Sequence, residues 1–253
     1  MTEPHFITSL QHPYVKHLVK LRDDSSYRFR ERAFLLEGIK AIREAAPYIK
    51  SLAYTSAYLP FLKLQAKEEW HVTEEILKKV CSTITPEGVV AEMYMPPFSA
   101  LNESSSILAL DGVSDPGNLG TLMRTALALG WDGIFLLPNC CDPYNEKVLR
   151  AARGAHFKIP MKKGTFEELR QVCEECNFKP FVASLRGMAP DEVPSSEKKI
   201  LVLGNEARGA SQKIQAYCSP VTIPMPGEME SLNVAVAGGI LLYLLKKVSQ
   251  NER

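Results

Sequence analysis

From Ile107 onward, short unbroken apolar runs alternate with segments whose apolar residues recur at helical spacing. Ile107–Val113, Ile134–Leu137, Phe181–Leu185, Ile200–Leu203 and Val221–Met225 read as strands, and Leu119–Leu129, Asn145–Arg153 and a stretch from Thr165 to about Cys176 as helices. Gly130 stands where a left-handed residue ends a helix, and the Asp142-Pro143 turn introduces the next one. Thr165-Phe-Glu-Glu168 has the form of a capping box. Apolar runs without polar alternation suit strands covered on both faces, and strands alternating with helices imply a parallel sheet. The pattern predicts an α/β domain.

Upstream lies a smaller unit. Phe34–Ala46 and Thr73–Cys81 have helical spacing, while Leu52–Thr55 and Val89–Met95 read as strands. Between the two units, PPFSALNESSS (Pro96–Ser106) is rich in Pro and Ser and poor in pattern. The expected division is residues 1–97, a linker over 98–106, and a second domain over 107–253.

Val221–Leu245 is the most informative segment: a β-branched strand, a Pro/Gly loop, then Glu-Ser-Leu-Asn leading into an almost wholly apolar helix. A helix this apolar is expected inside a domain, with Ser231 and Asn233 at its polar entrance facing a pocket. Three polar loops, Ser114–Gly120, Asn205–Ser211 and Pro226–Asn233, each follow a strand. In open α/β sheets ligands bind beyond the carboxyl ends of the strands, where such loops converge. None of them contains G-x-G-x-x-G or a Walker pattern, so dinucleotide and triphosphate readings lose their usual support.

Composition adds little to this picture except at the N-terminus. The chain has 253 residues, 45% hydrophobic and 23% charged, with a net charge of +1, as ordinary soluble domains do. Residues 10–43 hold eight Lys and Arg against four acids; this excess suits phosphates or a solvated helix face equally well. The start lacks a basic n-region and an apolar h-region, and Leu232–Leu245 is too short to span a bilayer. A cytoplasmic protein with reduced thiols is expected. Cys173-Glu-Glu-Cys176 has no second pair at ligand spacing and lies in a helical pattern, so one buried and one half-buried thiol are expected there and no metal.

Three ordered motifs identify a resemblance: Asp115-Pro-Gly-Asn118-Leu-Gly-Thr-Leu-Met-Arg124-Thr-Ala, Leu203-Gly-Asn-Glu206-Ala-Arg-Gly209, and Ile223-Pro-Met-Pro-Gly-Glu-Met-Glu-Ser231-Leu-Asn233-Val-Ala-Val-Ala. Together they resemble the SpoU-type RNA 2′-O-ribose methyltransferases of the SPOUT superfamily. Ile7-Thr-Ser, His12-Pro-Tyr-Val-Lys16 and Phe34-Leu-Leu-Glu-Gly38 resemble the L30e-like RNA-binding domain that many members carry. The resemblance implies a trefoil-knotted methyltransferase domain behind a small L30e-like α/β domain, in place of the unknotted sheet that pattern alone suggests. It also implies S-adenosylmethionine as cofactor, a homodimer, and RNA as substrate, with ribosomal RNA favoured over tRNA.

Carried over residue by residue, the resemblance gives the central catalytic role to Arg124, surrounded by Asn118, Glu206, Ser231 and Asn233. Leu203, Gly204, Ile223, Met225 and Leu232 match cofactor positions, and Lys16, Arg28, Arg32 and Arg208 are candidates for RNA contact. A guanidinium is costly to deprotonate, so Arg124 is expected to clamp an RNA phosphate and polarise the hydroxyl, with the proton acceptor open. Plain structural roles compete: Asn118, Ser231 and Asn233 as caps, Glu206 as an acceptor for loop amides, Arg124 and Arg208 as solvated cations. A non-catalytic RNA-binding factor that keeps the knot, and a related enzyme that methylates a base nitrogen, are the alternatives at the level of function.

Overall fold

The computed structural model describes residues 5–56, 58, 64, 66–194, 198–227 and 231–246. They form two compact units, one running to Pro97 and including Tyr144–Gly154, the other made of Phe98–Pro143 and the chain from Ala155 onward.

The first unit contains β1 (His5–Ile7), α1 (Pro13–Asp23), α2 (Ser25–Glu31), β2 (Ala33–Glu37), α3 (Ile39–Glu44), β3 (Ile49–Tyr54), β4 (Glu68–Val72), α4 (Glu74–Val80) and β5 (Val89–Tyr94). The strands lie in the order β1-β4-β3-β5-β2; β5 runs antiparallel to both of its neighbours, and the other pairs are parallel. Val15, Leu18 and Leu21 of α1 and Ile76, Leu77 and Val80 of α4 bury one sheet face with Ala53, Val72 and Val90. His12 and Thr73 cap these helices, each side chain accepting from a backbone amide of the first turn.

Helical spacing over Phe34–Ala46 was misleading. Ala33–Leu36 is buried as β2 and paired with β5, Gly38 turns the chain at φ +90°, and only Ile39–Glu44 is helical. A strand buried on both faces is uniformly apolar, and over so short a run that cannot be told from a helix.

The second unit contains β6 (Ser106–Asp111), α5 (Pro116–Ala128), β7 (Gly133–Leu136), β8 (Met161–Lys163), α7 (Phe166–Cys176), β9 (Lys179–Met188), β10 (Lys199–Gly204), α8 (Gln212–Tyr217), β11 (Ser219–Val221) and α9 (Val234–Leu245); α6 (Glu146–Ala152) belongs to the first unit. The domain expected over 107–253 is therefore interrupted. Tyr144 accounts for it: it is 1% exposed, its ring is 4.8 Å from that of Phe34, and α6 packs on β2.

Six strands form one parallel sheet in the order β11-β9-β10-β6-β7-β8. The capping box at Thr165 is present, and of the helical pair Cys173 is buried and Cys176 half-buried. The last strand is Ser219–Val221 rather than Val221–Met225; it lies at the edge of the sheet, where Pro220 is tolerated, and the bond from Thr222 N to Met188 O is the last backbone bond before the chain leaves the ladder. α9 packs on α5 and β10. Gly238 makes that possible, because a Cβ there would run into the Leu122 and Leu203 side chains. Trp131 Nε1 donates to Leu242 O at 3.0 Å and Lys199 Nζ to Leu245 O at 3.2 Å, which satisfies carbonyls at the end of α9. The helix is not buried all round as its composition suggested: Val236, Tyr243 and Leu244 are 52%, 59% and 45% exposed.

Candidate active site

β6 and β10 are neighbours in register, with Gly204 opposite Asp111 at their carboxyl ends. The loops leaving them must therefore meet. The β10 loop is closed by Asn205 and Gly209, each amide donating to the other's carbonyl at 3.0 and 2.9 Å. Gly209 supplies φ +68°, and Gly204 leaves no room for a Cβ, which would strike the backbone of Gly209 and Ala210. Asn205 ties this loop down. Its Oδ1 accepts from the amides of Ala207 and Arg208 at 3.0 and 3.1 Å, and its Nδ2 donates to Gly112 O at 2.9 Å, where the β6 loop begins.

Glu206 then reaches across to the start of α5. Its carboxylate accepts from the amides of Ser114 and Asp115 and from Ser114 Oγ, at 3.2–3.3 Å, and from Asn118 Nδ2 at 3.1 Å. Burial alone would raise the Glu206 pKa, but hydrogen bonds from its own amide, Asn118, Asp115 and Ser114 outweigh it and hold the carboxyl below its ordinary range. The group is an anion at a helix N-terminus, which the helix dipole also favours.

That charge orients two amides in turn. A carboxylate only accepts, so Asn118 must turn its NH2 toward Glu206 and leave Oδ1 outward. Asn233 Nδ2 donates to this oxygen at 3.2 Å, while its own Oδ1 accepts from Ala235 and Val236 N and caps α9. The cap of α5 is Asp115, which accepts from Asn118 N at 2.8 Å, so Asn118 sits inside the first turn and its side chain is not spent on capping.

The structure thus joins Glu206, Asn118 and Asn233, though not Arg124 or Ser231. Both are exposed and have no hydrogen-bond or ion-pair partner among the described residues. Arg124 is six residues beyond Asn118 on the same helix, its guanidinium available to an anion. Leu203 is buried, Ile223 and Met225 are half-buried, and Leu232 is 38% exposed. The backbone of residues 223–227 has no backbone partner among the described residues. Apolar side chains beside open N–H and C=O groups fit an adenine edge and ribose.

Of the residues expected to contact RNA, Lys16, Arg32 and Arg208 are exposed, but Arg28 is not. Arg28 is 3% exposed and donates to Leu21 O and Arg22 O, both at 2.7 Å, so it staples α2 to the end of α1. One face of a seven-residue helix must be buried, and composition does not say which basic residue occupies it. Asn205 and Ser114 were missed as site residues. The only sequence signal for Asn205 was an Asn in a tight loop ending in Gly, which marks a turn and not a role.

Residues 105–243 match the SpoU rRNA Methylase family, and residues 12–91 the MRM3-like substrate binding domain. The chain is 33% identical over 246 residues to the 23S rRNA (guanosine(2553)-2′-O)-methyltransferase RlmP of Bacillus subtilis, covering 95% of this chain and 98% of that protein. It is 28% identical to the 23S rRNA (guanosine-2′-O-)-methyltransferase RlmB of Salmonella typhi, over 85% of this chain and 89% of that one. The crystal structure of an AdoMet-bound rRNA methyltransferase from Sinorhizobium meliloti superposes with a TM-score of 0.85 at 28% identity, covering 95% of this chain and 97% of that one.

Proposed function

The chain belongs to the SpoU rRNA methylase family, and on that premise we propose that it transfers a methyl group from S-adenosylmethionine to a ribose 2′-hydroxyl of ribosomal RNA. The observation that carries this reading is the hydrogen-bonded chain Glu206–Asn118–Asn233, which draws together the segments that follow β10, β6 and β11. The relatives named above methylate a guanosine 2′-oxygen of 23S rRNA.

Bound S-adenosylmethionine supplies a methyl group already activated by its sulfonium, so the protein has only to present and prepare the oxygen. In this reading Leu203, Gly204, Ile223, Met225 and Leu232 hold the cofactor. The amides of Ile223 and Met225 and the carbonyls of residues 223–227 are open to its polar edges. Arg124 grips the RNA phosphate next to the target ribose and polarises the 2′-hydroxyl. Asn118 and Asn233, oriented by the Glu206 carboxylate, keep the loop at Ser231–Leu232 in register with α5.

The same reading gives the C-terminal passes of the second unit a trefoil knot, and the first unit an L30e-like RNA-binding role. A second copy covers the exposed Val236, Tyr243 and Leu244 face of α9, and the protein works in the cytoplasm. The deciding experiment is transfer of labelled methyl from S-adenosylmethionine to unmodified ribosomal RNA, repeated with the target nucleotide as a 2′-deoxynucleotide. Label on the first RNA alone is expected. Label on both would refute ribose methylation, and label on neither would favour a non-catalytic RNA-binding role.

A further inference from the structure

One face of the first unit carries a built arrangement of cations and tyrosines that the methyl-transfer site does not use. Its centre is Glu92 on β5, 3% exposed, which takes three hydrogen bonds: from His17 Nε2 at 2.9 Å, Lys50 Nζ at 2.7 Å and Ser51 Oγ at 2.9 Å. Burial raises the Glu92 pKa, but the bonds and charges of His17 and Lys50 outweigh it, so the group is a carboxylate. A carboxylate only accepts. His17 Nε2 therefore donates to it, and His17 Nδ1 shares a hydrogen with Tyr27 OH, 2.7 Å away.

The chain Glu92–His17–Tyr27 pins the Tyr27 ring, and two cations stand over it. Arg30 Cζ is 4.6 Å and Lys20 Nζ 5.6 Å from the ring centroid. Lys50 links this group to a second one, since its partner Glu92 stands two residues before Tyr94 on β5, on the same face of the strand. Tyr94 is 37% exposed and has Lys67 Nζ 5.3 Å from its ring centroid. Lys16 is exposed one turn before Lys20 on α1. Near these five cations stand Glu31, paired with Arg30 at 3.3 Å, Glu68, next to Lys67 in the chain, and Glu92 beneath.

We propose that the face formed by Lys16, Lys20, Tyr27, Arg30, Lys50, Tyr94 and Lys67 grips the substrate RNA, its cations meeting phosphates and its tyrosine and arginine planes receiving unpaired bases. The proposal rests on the methyltransferase reading for the identity of the RNA, but it stands on its own geometry. Lys20 and Lys67 are held over rings and have no ion pair with a carboxylate among the described residues; Lys67 spends one donor on Tyr94 OH at 3.3 Å, and an ammonium has three, so both keep donors for phosphate oxygens. Tyrosine and guanidinium planes accept any base by stacking, which duplex RNA does not offer but loops and bulges do. Arg28 lies outside this surface, and Lys16 is its only member among the four cations singled out from sequence.

The test uses the full chain and unmodified ribosomal RNA transcribed in vitro. Lys20→Glu with Arg30→Glu reverses two exposed charges, Lys67→Glu reverses one beside Tyr94, and Lys78→Glu on α4 is a control outside the surface, matched in charge to Lys67→Glu. RNA binding is measured by gel shift across a salt series, and methyl transfer by the KM for RNA and for S-adenosylmethionine. The double variant is expected to weaken RNA binding at least tenfold and to flatten the log Kd against log salt slope by about 1.5. The KM for S-adenosylmethionine should stay at the wild-type value, and Lys67→Glu should change RNA binding in the same direction by less. Binding and slope like those of Lys78→Glu would overturn the proposal. A wild-type protein that binds RNA through this face but transfers no methyl group would overturn the methyltransferase reading and leave the surface standing.

Discussion

Asn233 donates its side-chain amide to Asn118 Oδ1 at 3.2 Å across 115 positions of the chain. That oxygen is available only because Glu206 takes the other end of the Asn118 amide. The C-terminal loop is thus held to α5 by a bond whose direction a third residue dictates.

Removing the middle of this chain should slow catalysis without emptying the site. Asn118→Ala breaks a bond to a charged group, a loss of about 1.5–3 kcal/mol, or roughly 10- to 150-fold if it falls on the barrier. Asn118→Asp should be worse, because it sets a second carboxylate against Glu206 at 3.1 Å. Single-turnover methyl transfer checks both, with the Kd for S-adenosylmethionine expected to change only a few-fold. Equal rates for the Asp and Ala variants would show that Glu206 does not act through Asn118.

Asn205 should matter through the shape of the loop. Asn205→Ala loses both acceptor bonds to Ala207 and Arg208 and the donor bond to Gly112, a cost of about 1–3 kcal/mol with the loop partly exposed. Asn205→Asp keeps the acceptors and loses the donor, so its stability should fall between wild type and Ala. Its activity should fall further than its stability, since the new charge adjoins Glu206. Thermal unfolding beside steady-state kinetics separates the two effects. An Asp variant no more stable than Ala would deny the acceptor bonds any role.

The parallel sheet was legible because it is written in unbroken apolar runs such as Ile200–Leu203, and α7 because Thr165 and Glu168 satisfy each other's amides. Elements escaped where burial hid the period. Ala33–Leu36 is buried on both faces and looks helical, and Arg28 reads as a surface cation until α2 is seen to bury it. Of the site, the motifs gave Asn118, Glu206 and Asn233. They could not give the direction of each amide or the part played by Asn205, because both depend on the register of β6 against β10. The outer face of α9 escaped for a different reason. An apolar helix within a chain looks the same whether its cover comes from the same chain or from another copy.

That face gives the next prediction. Val236, Tyr243 and Leu244 are each more than 40% exposed on one helix, and a patch of this kind marks an interface, most often a two-fold one between identical chains. Val236→Glu with Tyr243→Glu should convert a dimer to a monomer in sedimentation velocity while leaving the far-UV spectrum unchanged. A wild-type protein that sediments as a monomer at tens of micromolar would remove the second copy from the account.

Acid should weaken the second unit through a residue that is not a member of the Glu206–Asn118–Asn233 chain. His156 is 2% exposed, with Nε2 2.6 Å from Pro143 O, and burial pushes its pKa from an ordinary 6.5 down to about 4, against the smaller opposing effects of that carbonyl and Asp142. The folded value lies below the unfolded one, so between these limits the unfolded chain binds the extra proton. The stability contributed by neutral His156 is complete above pH 6.5 and is lost as pH falls toward 4, by at most about 1.4 kcal/mol per pH unit. Glu206 and Glu92 are held below 4.5 in the fold, so they add their own loss mainly as the unfolded chain begins to protonate near that value. Between pH 6.5 and 5 the histidine should dominate. Urea midpoints of wild type should fall across that range, and those of His156→Gln, which keeps an N–H donor but does not titrate, should stay nearly flat. Parallel curves for the two proteins would mean that His156 does not hold its neutral form against the solvent.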